Sequence, residues 1–291
     1  MRSSNPVFSR AEGFSGRTTT GNASGMTYPG AGASQYSPQQ ASSAGGQQYG
    51  GPEAPTDYAP RSTNPMTIDS VVQKTGISLG IVVLVAAATW LLTGPIDNRG
   101  ALTTLYTLSM FGALGGFALA MVNSFKKVVS PALVIAYAAV EGVFVGAFSK
   151  AMEAQFGDGL VMGAVLGTFA AVAGTLAAYK FFNIRVSPKF RKFVIAAMLG
   201  FVAVSLLDFA LSFFSADVGI NGFGGLGLVM SFVGLGLGIL LLILDFDFVE
   251  RGIAAGLPEV ESWRAAFGLT VTIIWIYIEL LRILAILRGN D

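Results

Sequence analysis

The sequence predicts an all-α integral membrane protein, a seven-transmembrane-helix domain over residues 66–291 preceded by a disordered polar tail over residues 1–65. Three observations predict it. The composition is apolar, 53% hydrophobic against 12% charged, with a mean hydropathy of +0.64. From Gly76 onward the apolar residues fall into seven runs, each close to the ~20 residues that cross a hydrocarbon core at ~1.5 Å per residue. None of the runs alternates as a barrel strand would.

The elements follow in order. Residues 1–65 hold GNASGMTYPGAGASQYSPQQASSAGGQQYGGPEAP, a Gly, Ser, Gln and Pro mixture that cannot bury enough apolar surface to offset ordering entropy. No apolar run follows Met1, so the expectation is that the first membrane helix acts as its own signal and anchor. The seven runs cover roughly 75–94, 101–122, 131–150, 159–182, 193–214, 225–250 and 263–287. Pro95, Pro131, Pro188 and Pro258 fall between runs or at their starts, where proline punctuates a helix. Five Gly pairs at four-residue spacing (Gly76 and Gly80, Gly112 and Gly116, Gly142 and Gly146, Gly163 and Gly167, Gly234 and Gly238) predict close backbone approach in a tight bundle.

Lysine and arginine set the expected orientation. With the N-terminus in the cytoplasm, fourteen of the 18 basic residues lie inside, among them the run Lys180, Arg185, Lys189, Arg191 and Lys192. Only Arg99, Lys150, Arg282 and Arg288 lie outside.

Several function classes drop out. A net charge of +1 over the whole chain argues against nucleic acid, whose binders carry a marked basic excess. With no Cys and no His, thiol chemistry, nucleophile–His pairs and the usual neutral-pH sensor are gone. No P-loop or dinucleotide fingerprint is present. The expectation is therefore no enzyme and no cofactor.

What remains is a short set of acids inside apolar runs. An ionisable group there costs at least ~2.5 kcal/mol on insertion scales, so each asks for a function. Glu141 lies mid-span in the third run and Asp208 late in the fifth. Asp245 and Asp247 are two apart, so on a helix they point ~200° from each other. Asp247 shares a face with Glu250 and Arg251 and reads as part of an interfacial ion-paired set, which leaves Asp245 for the interior. Glu279 has Arg282 three residues on, and a buried pair of that kind is a poor device for stability alone. Trp263, Trp275 and Tyr277 read as packing or interface anchors.

These residues carry a resemblance. The Tyr137, Glu141, Gly142, Gly146 pattern (Y-x-x-x-E-G-x-x-x-G), Asp245 late in the sixth run and Glu279 before an LLR run resemble the Bax inhibitor-1 family, also called the transmembrane Bax-inhibitor-motif or YccA/YetJ-like family. MRSSNPVF and MTIDSVVQKTG look like its actinobacterial branch. The resemblance is taken to cover residues 65–291. It implies six helices around the last, in a bacterial plasma membrane, and a pH-sensitive calcium leak channel. It also implies that Asp245 and Glu279 share a proton, latch the sixth helix to the seventh and transiently ligate calcium; Glu141, Asp208, Asp247 and Arg282, read from their places in the runs, are expected as supporting polar groups. Two carboxylates in contact titrate as a unit, which would give such a latch its pH sensitivity. The partners implied are the lipid bilayer, calcium and protons. The alternative is a non-transporting regulator that binds a membrane protease or stress partner. Two features depart from the family pattern: Glu stands at the seventh-helix position where Asp is expected, and counting outward from Pro258 leaves the two acids ~12 Å apart in depth. Either the helices are staggered or the pairing differs.

Overall fold

In the computed structural model the described residues are 64–96, 99–214, 216 and 218–289. The expected disorder of the tail falls outside them. They form seven helices: α1 Ile68–Leu92, α2 Arg99–Phe125, α3 Pro131–Phe156, α4 Leu160–Phe181, α5 Pro188–Ser212, α6 Gly225–Ala254 and α7 Glu261–Gly289. All seven are long and apolar enough to cross a membrane. Large apolar side chains such as Leu84, Phe169 and Leu199 are exposed, which water would penalise and lipid does not.

The helices outrun the apolar runs at their charged ends. α1 begins at Ile68 and α5 at Pro188, upstream of 75 and 193, because hydropathy marks only the apolar middle of a helix. Caps mark the true starts. Thr67 and Ser70 exchange bonds with each other's backbone N–H in a capping box ahead of α1. Ser187 accepts from the Phe190 N–H, with Pro188 at the first helical position of α5.

α7 is the central helix. In its most apolar stretch 61% is buried, against 17–39% for the other six. It packs against α1, α3, α4 and α6, while α2 lies on α3 and α5 on α6. The outer two reach the centre through side chains: Phe201 of α5 meets Trp275 edge-on at 5.6 Å, and Tyr106 of α2 packs on the cluster containing Tyr277 and Leu281. Four of the five glycine pairs sit at such contacts. A Cβ on Gly146 would lie 2.5 Å from the Ala86 carbonyl oxygen of α1, and one on Gly142 would lie 2.8 Å from that of Val82. Gly76 and Gly80 face open space instead, so the glycine spacing alone overstated the packing of α1 there.

Polar ties close both ends of the bundle. At one end Lys74 Nζ bonds the Glu259 carboxylate at 2.9 Å and its carbonyl at 3.0 Å, and Ser70 meets Ser262 at 2.6 Å. At that end too, Arg264 donates to the Lys127 carbonyl and Arg251 to that of Val186. The start of α1 and the α2–α3, α4–α5 and α6–α7 connections therefore share one face. At the other end Lys150 donates to Trp90 O, Thr93 Oγ1 and Gly94 O, satisfying carbonyls left open by the end of α1. Arg288 does the same for Gly157 and Asp158.

Candidate functional site: the seam between α6 and α7

α6 and α7 run antiparallel, and three glycines set their register. A Cβ on Gly234 would meet Glu279 Oε1 at 2.5 Å, one on Gly238 would meet Ile276 at 2.9 Å and Trp275 at 3.0 Å, and one on Gly268 would meet Asp245 Oδ1 at 3.2 Å. Each acid thus lies opposite a glycine of the other helix, because only a missing side chain leaves room for a carboxylate between backbones this close. Trp275 strengthens the seam by donating Nε1–H to the Gly234 carbonyl at 3.0 Å.

Asp245 projects into this seam, where Thr272 Oγ1 lies 2.6 Å from its Oδ2. Thr272 is buried, so the contact is an interhelical hydrogen bond inside the span. Glu279, 3% exposed, lies farther along α7. Its Oε2 is 3.3 Å from Arg282 Nη1, and Arg282 also donates to the Ile220 carbonyl of the α5–α6 connection at 3.2 Å. Ser231 Oγ of α6 sits beside Glu279 but makes no aligned hydrogen bond.

The expected Asp245–Glu279 contact is therefore not formed. Gly234 and Asp245 are eleven residues apart on α6, as are Gly268 and Glu279 on α7, which separates the two carboxylates by ~16 Å along the seam. Neither a shared proton nor joint calcium ligation can span that distance, since calcium binds oxygens at ~2.3–2.6 Å. Among the described residues no three acidic side chains converge as a metal site. The depth count from Pro258 pointed to an offset, and the register resolves it as a different pairing: acid with threonine and acid with arginine.

The supporting residues divide by role. Glu141 lies in the α2–α3 seam, where its Oε2 occupies the space above Gly116. Asp208 is 3% exposed and accepts from the N–H groups of Val218, Gly219 and Asn221 at 2.7, 3.2 and 2.8 Å. It fastens the α5–α6 connection and does not enter the α6–α7 seam. Asp247, expected at the interface, is buried to 6% exposure. Arg191 of α5 reaches it at 2.7 Å and Arg251 at 2.9 Å, while Glu250 bonds Tyr179 instead. Asp247 is buried because two guanidinium groups cover it, one of them from a helix that sequence spacing could not bring near. Thr272, Gly268 and Ser231 went unrecognised from the sequence. The signal was available in principle, as glycines opposite acids once the register is known.

Seven membrane-crossing helices, with a central helix whose seam holds an acid–threonine and an acid–arginine contact, define an integral membrane protein with ionisable groups built into its packing. A family model described as Bax inhibitor 1 like matches residues 5–289, and the chain belongs to that family. The match begins at residue 5, so the family's extent takes in the N-terminal segment that the resemblance had left out. No curated protein sequence matches the chain.

Proposed function

We propose that the chain is a proton-sensitive cation leak pathway of the plasma membrane, with calcium as the permeating ion, in which Asp245 and Glu279 act as separate stations along the α6–α7 seam. The observation that carries this reading is the Asp245–Thr272 bond at 2.6 Å between α6 and the central helix. With a protonated Asp245, the bond joins two neutral groups and the helices stay closed. An ionised Asp245 requires water or a cation to be stable in the span, and hydrating it parts the seam beside Gly268. Glu279 and Arg282 form the second station, toward the opposite face. Placing the face that carries Lys74, Lys127 and Lys189 in the cytoplasm follows the bias of basic residues.

The test is calcium entry into liposomes holding the purified chain, followed with an enclosed dye from pH 5 to 8. Wild type should exceed empty liposomes, and Asp245→Asn should flatten the pH dependence while Asp208→Asn leaves its midpoint in place. Flux no greater than in empty liposomes overturns the proposal and returns the regulator reading to the front.

A further inference from the structure

The corner between α4 and α5 holds charge that the bundle does not use. Lys180 ends α4, Arg185 lies in the connection, and Lys189 and Lys192 stand three apart in the opening turns of α5. All four are exposed, and among the described residues none has an ion-pair partner. The acids nearby are engaged elsewhere: Asp247 holds Arg191 and Arg251, and Glu250 bonds Tyr179. The corner is built, too. Asn183 takes the left-handed conformation at φ 50°, and the Ile184 N–H returns to the Tyr179 carbonyl at 3.2 Å, which closes α4 in a Schellman-type turn. Ser187 then caps α5. This turn presents Phe181 and Phe182 outward, 88% and 78% exposed.

An apolar groove of about 350 Å³ adjoins the charge, lined by Ala173, Leu176, Ala177, Lys180 and Phe181. These positions form one stripe of α4, with two alanines as the floor and Lys180 at the membrane-surface end. α4 and α5 both pack on α6 and not on each other, so the groove opens to the hydrocarbon. A ligand fitted to both parts has an apolar chain and an anionic head. The chain's own N-terminal segment does not qualify, since residues 1–63 carry four arginines against three acids.

We propose that the α4–α5 corner binds an anionic phospholipid, with the phosphate held by Lys180, Arg185, Lys189 and Lys192 and an acyl chain laid along the α4 groove. Basic side chains next to an anionic leaflet each contribute about a fivefold factor in affinity, and the exposed Phe181 and Phe182 rings offer apolar surface to the headgroup–acyl boundary. The site stands whether or not the chain conducts ions.

Native mass spectrometry of the full chain, released from detergent micelles doped with palmitoyl-oleoyl phosphatidylglycerol or phosphatidylcholine, tests it. Wild type should retain phosphatidylglycerol in preference to phosphatidylcholine. Lys189→Glu with Lys192→Glu should lower that retention by at least about tenfold, and Ala177→Trp, which fills the groove, should also lower it with all four charges in place. Lys180→Gln with Arg185→Gln provides a second charge variant should the reversal fail to fold. Millimolar inorganic phosphate should leave the bound lipid in place. Equal retention of the two lipids, undiminished phosphatidylglycerol binding in the folded charge variants, or full displacement by phosphate would overturn the proposal.

Discussion

Energetic independence of Asp245 and Glu279 is the most direct consequence of the seam geometry. A double-mutant cycle measures it. At ~16 Å two unit charges in an effective dielectric of ~20 interact by ~1 kcal/mol, and Arg282, 3.3 Å from Glu279, cancels most of that. Sites farther apart than 7–10 Å without shared partners add to within about 0.5 kcal/mol. Asp245 and Thr272, in contact at 2.6 Å, should instead couple by about 0.6–1.7 kcal/mol, the range of interhelical hydrogen bonds in membranes. The assay is reversible unfolding in mixed micelles as dodecyl sulfate is raised. The set is Asp245→Ala, Thr272→Val, Glu279→Ala and the two doubles that contain Asp245→Ala. A coupling of Asp245 to Glu279 larger than that of Asp245 to Thr272 would refute the register and restore the contact pair.

Other parts of the bundle give sharper contrasts. Gly146→Ala sets a Cβ 2.5 Å from the Ala86 carbonyl, backbone that cannot rotate away, and should cost about 1–3 kcal/mol in the same unfolding assay; Gly76→Ala, facing open space, should be neutral or stabilising by up to about 1 kcal/mol. Asp208→Asn leaves one oxygen to serve three N–H groups, so a loss of about 2 kcal/mol is expected, with faster proteolysis in the α5–α6 connection. Glu259 is held below the usual carboxylate range, first by the hydrogen bond from Lys74 and then by its charge. A depressed acid stabilises the fold above its unfolded value and loses that contribution as pH falls through the folded one. Wild type should therefore melt above Glu259→Gln at neutral pH, and the two should converge on acidification.

The helix count and the existence of polar groups inside the spans were legible because each follows from local composition. A hydrocarbon core tolerates only apolar stretches of a certain length, and an acid within one stands out against it. What could not be read was which groups meet. The family resemblance implied that Asp245 and Glu279 are partners, yet their meeting depends on register. Register here depends on where the glycines of one helix admit the side chains of the other. Asp247 shows the same limit: its i+4 neighbour Arg251 was visible, while Arg191 reached it only through the packing of α5 on α6. Charged ends of helices were also hidden, as with Lys74, which stands just ahead of the first apolar run and is a buried member of an ion pair in α1.

The junction at Asn64–Met66 has a mechanical meaning. The Met66 N–H bonds the Leu257 carbonyl at 2.7 Å, and the Glu259 N–H bonds that of Asn64 at 3.0 Å. The described chain thus begins bonded to the turn between α6 and α7, before α1 starts. These two bonds pin the backbone at Asn64 and Met66 to the elbow of the α6–α7 hairpin, so the entry to α1 and the turn of the hairpin are held as one unit.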